Sequence, residues 1–477
     1  MNPRYSCLGQ IQNDLLEGNL SCTDLVQYYL QNIRSTASLN AYIEVYAEEA
    51  LEQARLTDEK IKTNSSSLGK CFGLVISVKD NICQEGKRVE AASGILKGFT
   101  SLYTATALER LLEEGAIVIG RVNCDQFGMG NSNENSVYGP VRNADNPERI
   151  PGGSSGGSAV AVQTDTCLVS LCSDTGGSIR QPAGFCGVYG LKPTYGRISR
   201  HGLLAYASSF DQIGFIGRDP EDFSLLLSVC SGPDQYDASM LPVDDPSDDE
   251  EVSLPGRIAF LSEEVYANDM DPTILDGMTK LRKNLGSMGF ECNSFSFPML
   301  DYLVPAYYTL TTAEASTNLA RYDGIRYGMR EESKDLQETY SGSRTKGFSQ
   351  EVKRRILLGT FVLSSGYYDA YFGKAQKIRG KIKTDLDRIL EYHDIVLLPL
   401  SPQPAWEIGA YQEDPVKSYL ADVFTVLANL AGYPALAIPL GTHPNGTKFG
   451  FQILAKSLQE KQLIAFSTHL KDKLTKM

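Results

Sequence analysis

Apolar positions recur at helical spacing through the first part of the chain. Ser21, with Asp24 three places on, opens like a capping box, and Leu25, Val26, Tyr29, Leu30 and Ile33 follow on one face. A second helical stretch covers Glu48 to Lys62, so residues 1–65 read as a helical segment. The pattern then changes. Phe72 to Val78 is a short apolar run rich in β-branched residues that stops at Lys79-Asp80-Asn81, which predicts a buried strand. Ala105, Leu108, Leu111 and Leu112 share one helical face, Gly115 stops that helix, and Ala116 to Ile119 reads as a strand directly after it. Helix followed at once by strand is the rhythm of an α/β sheet.

Between residues 128 and 190 glycine is concentrated, with Cys167 to Leu171 as a candidate core strand between two glycine clusters. Backbone gathered by glycine around a strand end is where sites tend to be built. Farther on, Arg257 to Leu261 (strand) and Ile274, Met278, Leu281, Leu285 and Met288 (one helix face) begin another α/β stretch. Helical residues 350–392 and the apolar runs 395–400 and 434–440 complete the pattern. The acidic run Asp244 to Glu251 reads as an exposed loop.

Composition narrows the class. The 477 residues carry a net charge of −13, which argues against a chain that wraps nucleic acid alone, since that task needs a dense Lys/Arg surface. Ten cysteines include no CxxC pair, and only four histidines are present, so neither a zinc site nor any other metal site is expected. No run is long and apolar enough to span a membrane, and the first residues lack a signal-peptide core, which together with the free cysteines predicts a reduced, cytoplasmic protein.

Two blocks carry the candidate chemistry: Pro151-Gly152-Gly153-Ser154-Ser155-Gly156-Gly157-Ser158 and Asp174-Thr175-Gly176-Gly177-Ser178-Ile179-Arg180-Gln181-Pro182-Ala183. A phosphate-binding P-loop needs a lysine after its glycines, and neither block has one. A nucleophile elbow must follow a strand, whereas Asn143 to Pro151 is a polar loop, and no histidine stands in a suggestive context. The remaining reading is a Ser–Ser–Lys arrangement. Ser178 would be the nucleophile, with backbone N–H groups of Thr175, Gly176, Gly177 and Ser178 facing a developing oxyanion. Lys79, at a strand end, would be the base if burial left it neutral, and Ser154 would relay the proton. The glycines beside the serine pair permit unusual backbone geometry, including a cis peptide.

These blocks, with the upstream Val-Lys-Asp and the 24-residue spacing between Ser154 and Ser178, resemble the amidase signature family. Gly190 to Arg197, Ala207 to Gly214 and Asn429 to Gly432 are similar to one branch of it, the GatA-type amidase subunits of glutamyl-tRNA(Gln)/aspartyl-tRNA(Asn) amidotransferases. The resemblance implies a single amidase domain over 1–477: the N-terminal helical segment, a catalytic core over 66–240, an acidic loop over 241–256, and a C-terminal part over 257–477. The fold it implies is α/β, with a mixed, mostly parallel central sheet covered by helices on both faces.

It further implies Ser178 as nucleophile, Ser154 as relay and Lys79 as base, acting on glutamine. Arg355 would hold the substrate's carboxylate and Asp422 its ammonium, with Arg354 competing for the first role. Tyr308 (or Tyr307), Met129 and Gly130 would line the pocket. Implied partners are the GatB and GatC subunits in a heterotrimer, mischarged Glu-tRNA(Gln) or Asp-tRNA(Asn) held mainly by the partner, and ATP with Mg there rather than in this chain. A stand-alone hydrolase of another small amide is the alternative. Gln126, Cys172 and Gly184 depart from the branch's usual Glu, Gly and Ala.

Overall fold

The apolar run that ends at Lys79 becomes one strand of a large mixed sheet in the computed structural model, which describes residues 5–63, 68–242 and 252–474. Among the described residues there are eleven strands: β1 (Tyr42–Val45), β2 (Val75–Lys79), β3 (Ile117–Val122), β4 (Val169–Asp174), β5 (Tyr189–Lys192), β6 (Gln212–Gly217), β7 (Arg257–Leu261), β8 (Glu291–Phe295), β9 (Ile395–Pro399), β10 (Ala435–Thr442) and β11 (Lys448–Leu454). Their order across the sheet is β1-β3-β2-β4-β6-β5-β10-β11-β9-β7-β8.

Parallel pairing is gathered into two blocks, β3-β2-β4 and β9-β7-β8. The strands between them, and the β1 edge, pair antiparallel. The reason lies in the connections. Parallel neighbours need a crossover, and helices Thr106–Glu113, Gly156–Gln163 and Pro272–Ser287 supply one after β2, β3 and β7. Both faces are covered. Gly214 faces Ile179, while Gly217, three positions along the same strand, faces Phe223 of helix Asp222–Cys230. Alternation along a strand puts those two glycines on opposite faces. Strands β2, β3, β4 and β6 are accordingly buried at every position, whereas the edge strands β1 and β8 are short and partly exposed.

Local expectations fare well where the pattern is strong. Ser21 caps helix Cys22–Ser35 by accepting from the Asp24 N–H, and its five apolar positions are buried. Three differences matter. The N-terminal segment is not purely helical, because Tyr42–Val45 pairs with β3 as an edge strand. Strand β2 starts at Val75 rather than Phe72, because residues 71–73 turn to bring the chain under Gly115. Leu112 is 36% exposed, at the margin of its helix's buried face. The acidic run Asp244 to Glu251 lies outside the described residues, as do 243–251 of the expected 241–256 loop. Among the described residues no helix is long and apolar enough to cross a membrane.

Candidate active site

Strands β2, β3 and β4 run parallel, so their carboxyl ends open on one side of the sheet, the usual place for a site in such a sheet. Lys79 is the last residue of β2 and is fully buried. Its nitrogen lies 2.7 Å from Ser154 Oγ, 2.8 Å from Ser155 Oγ and 3.1 Å from Ser173 Oγ on β4. The Gly153–Ser154 peptide is cis. Helix Gly156–Gln163 begins directly after the serine pair.

Burial pushes the Lys79 amine down from the usual lysine range, against the opposing charges that Cys124, Cys172, Asp125 and Asp174 could carry. The two thiols supply no such charge at neutral pH. Burial pushes both of them up, so they stay protonated and hold no ammonium. A neutral amine has a lone pair to offer a serine hydroxyl, which is what a base in this position requires.

The nucleophile loop is organised by Asp174, the last residue of β4. Its carboxylate accepts from the Gly177 N–H (2.9 Å), the Ile179 N–H (3.1 Å), Arg180 Nε and Nη2, and Asn429 Nδ2. Arg180 donates as well to Thr425 O, Gln452 Oε1 and Asn429 Oδ1. Burial acts to raise the Asp174 carboxyl, but the Arg180 guanidinium overrides it and holds the group well below the usual carboxylate range. That stabilisation is present above the ordinary carboxyl pKa and fades as pH falls below it. Arg180→Met, which leaves Asp174 buried and unpaired, is expected to lower the unfolding free energy by about 3–5 kcal/mol in urea titration. A loss below about 1 kcal/mol would contradict this account of the pair.

This network takes one amide out of the expected oxyanion hole. Of the four amides at Thr175 to Ser178, that of Gly177 is committed to Asp174. The N–H groups of Thr175, Gly176 and Ser178 have no partner among the described residues and remain available. Glycine is required at both 176 and 177 for room. A Cβ on Gly176 would lie 2.4 Å from the Tyr307 ring, and one on Gly177 the same distance from Thr425 Oγ1.

Ser178 lines a small cavity with Gly128, Gly130, Tyr307, Tyr308, Arg355 and Asp422. Arg355 comes from helix Gln350–Val362, whose buried stripe is Glu351, Val352, Arg355, Gly359 and Val362. Gly359 lets that helix approach Leu300–Asn318 closely, since a Cβ there would lie 1.9 Å from Thr312 O. Arg355 Nε donates to Glu351 (2.7 Å) and Nη1 to Tyr206 Oη (2.8 Å), which leaves Nη2 with no protein partner among the described residues. Asp422 accepts from Tyr308 Oη (2.8 Å) and Asn131 Nδ2 (3.1 Å). Burial pushes its carboxyl up to about 6, so it is ionised at neutral pH.

The structure therefore brings Lys79 and Ser154 together, and places Ser178, Arg355, Asp422, Tyr308 and Gly130 on one cavity. Arg354 is turned outward to Glu351 with its side chain 41% exposed. Met129 does not line the cavity. Its side chain packs into the core, and only its glycine neighbours reach the wall. Residues that sequence reasoning passed over include Ser155 and Ser173 beside Lys79, Asp174 with Arg180, and Glu351 with Tyr206. Glu351 was legible as an i,i+4 partner of Arg355, and Asp174 and Arg180 stood inside a block already singled out. Tyr206 carried no local signal.

The three departures find contacts. Gln126 Oε1 accepts from the Ser349 N–H at the start of the Arg355 helix (2.8 Å). Leu400 fills the space a Gly184 methyl would need. Cys172 is a buried thiol on β4, 3.7 Å from Gly214 O on β6.

The Amidase family matches residues 24–464 of this chain. The chain is 46% identical over 466 residues to the A subunit of glutamyl-tRNA(Gln) amidotransferase of Prosthecochloris aestuarii, covering 97% of each. It is similar to the crystal structure of the A subunit of glutamyl-tRNA(Gln) amidotransferase from Thermotoga maritima, at TM-score 0.77 and 37% identity over 94% of this chain and 91% of that one. A solved amidase superposes at TM-score 0.82 with 26% identity, covering 98% of this chain and 99% of that one.

Proposed function

The chain belongs to the Amidase family, and from that premise we propose that it is the glutamine-hydrolysing subunit of a tRNA-dependent amidotransferase. The observation that carries this reading is the pairing of a buried Arg355 and a buried Asp422 in the same cavity as Ser178. A free amino acid presents one charge of each sign, and Arg offers a carboxylate a two-pronged grip. A general amide hydrolase has no use for two buried, opposite charges at the acyl end of its pocket, which counts against the stand-alone alternative.

In this reading Ser178 Oγ attacks the side-chain amide carbon of glutamine. Its proton passes through Ser154 to the neutral Lys79 amine. The oxyanion is held by the free N–H groups among Thr175, Gly176 and Ser178. The C–N bond then breaks, and the nitrogen leaves as ammonia with the proton returned through the same relay. Water attacks the glutamyl ester, restoring the Ser178 hydroxyl and releasing glutamate. The ammonia goes to a partner subunit, where ATP with Mg activates the acyl group of a mischarged tRNA. Those partners are GatB, which holds the tRNA and the nucleotide, and GatC. The names of the relatives support an assembly of several subunits, and the net charge of −13 suits a subunit that leaves tRNA to its partner.

The test is ammonia release and amide transfer by the co-purified assembly, supplied with glutamine, ATP and mischarged tRNA. Gln-tRNA(Gln) or Asn-tRNA(Asn) should form. Glutamine turnover by this chain alone, indifferent to partner and tRNA, would favour the stand-alone hydrolase. Arg355→Met and Asp422→Asn are expected to raise KM for glutamine roughly 10- to 150-fold each, since a hydrogen bond to a charged group is worth about 1.5–3 kcal/mol. Unchanged KM in both would remove the basis for glutamine as substrate.

A further inference from the structure

The cavity at Ser178 is small and lined largely by polar groups, Ser178, Tyr308, Arg355 and Asp422 among them. Next to it lies a much larger cleft of about 730 Å³ with predominantly apolar walls, among them Tyr266, Leu300, Val304, Trp406, Val423 and Phe424. A cleft of this size and character suits an apolar ligand far better than free glutamine. Tyr308 belongs to the walls of both spaces, while Tyr419 borders only the cleft. The two rings stack, with centroids 4.2 Å apart and planes 26° from parallel.

We infer that Tyr419 is a specificity-determining residue: stacked on Tyr308, its ring backs the wall that Tyr308 forms between the Ser178 cavity and the apolar cleft, and so helps exclude primary amides whose acyl chains are apolar. The inference rests on the glutaminase reading and adds to it what keeps other amides out. Tyr308 is fastened through Asp422, and Arg355 through Glu351 and Tyr206. At its far end the Tyr419 hydroxyl donates to Glu351 (2.7 Å). Tyr419 sits on Pro415–Leu420, a short helix with no buried residue. Its removal takes away the ring that backs Tyr308, the residue shared by the two spaces. The cleft lies across Tyr308 from the Ser178 cavity. An apolar acyl chain would gain burial there if the ring were gone.

The experiment measures ammonia release from glutamine and from 3-phenylpropionamide by the assembled protein. Wild type should act on glutamine and leave 3-phenylpropionamide at background. Tyr419→Ala should raise kcat/KM for 3-phenylpropionamide at least tenfold, and raise KM for glutamine several-fold with a smaller change in kcat, because Arg355 loses a ring it packs against. Tyr419→Leu should give the same gain should the alanine variant fold poorly. Tyr419→Phe keeps the ring and should admit no 3-phenylpropionamide. Absence of any gain in the Ala and Leu variants, with glutamine still hydrolysed, overturns the partition, as does an equal gain in Tyr419→Phe. If the gain persists when Ser178→Ala is added, the error lies in the reading of Ser178 rather than in the partition.

Discussion

Ser178→Ala is expected to lower glutamine hydrolysis by roughly 10⁴-fold or more, the scale seen when a serine nucleophile is removed from a machinery whose parts act as a unit. The fold should hardly notice. The Ser178 hydroxyl makes no hydrogen bond with the described residues, and the contact that ties its loop to Ser155 runs through the backbone, from the Ser155 N–H to Ser178 O at 3.2 Å. Unfolding free energy should therefore stay within about 0.5 kcal/mol of wild type. Activity loss with stability preserved separates a chemical role from a packing one. Residual ammonia release within tenfold of wild type would remove Ser178 from the mechanism and leave the loop's order around Asp174 without a functional purpose.

Lys79→Met carries the second large effect, and it has two readouts of opposite sense. Loss of the base is expected to lower kcat/KM by about 10²- to 10⁴-fold, the usual contribution of a positioned proton acceptor. In wild type the neutral amine is the active form, so kcat/KM should rise with pH along a limb set by Lys79, lying below the ordinary lysine value of about 10.4. Burial lowers that value, and the limb should vanish in the variant. Stability moves the other way. Where the folded-state value is depressed, the unfolded chain binds more protons, so burying Lys79 costs most at pH below its folded value and nothing above about 10.4. The methionine variant should gain on wild type at neutral pH, with the gap closing as pH rises. Urea midpoints across that range decide it. A pH–rate limb that survives in Lys79→Met would assign the base elsewhere.

Much of the site is legible in the sequence, because its chemistry is concentrated in short blocks. The strand before Lys79, the glycines that crowd Ser154 and Ser178, and the helix that carries Arg355 all follow from local composition and periodicity. Side-chain direction within an element is harder to read. Arg354 and Arg355 are adjacent in sequence, and only helix phase against Leu300–Asn318 decides that Arg355 turns inward while Arg354 reaches solvent. Met129 likewise sits between two cavity glycines, yet its own side chain joins the core. Gln126 looks in sequence like a lost carboxylate, and its amide oxygen instead receives the Ser349 N–H 223 positions away.

The chain alone, then, determined the α/β alternation and singled out the blocks that hold Lys79, Ser154 and Ser178, since these depend on residue types at short range; Arg355 and Asp422 entered only through the resemblance to the amidase signature family. Tertiary structure decided which backbone N–H groups stay free once Asp174 has claimed Gly177, how Glu351 and Tyr206 orient Arg355, and that Tyr419 backs Tyr308, the residue between two cavities. Those outcomes turn on hydrogen bonds and ring contacts between segments as many as 149 residues apart. Geometry of that kind is created by packing, and no local pattern records it.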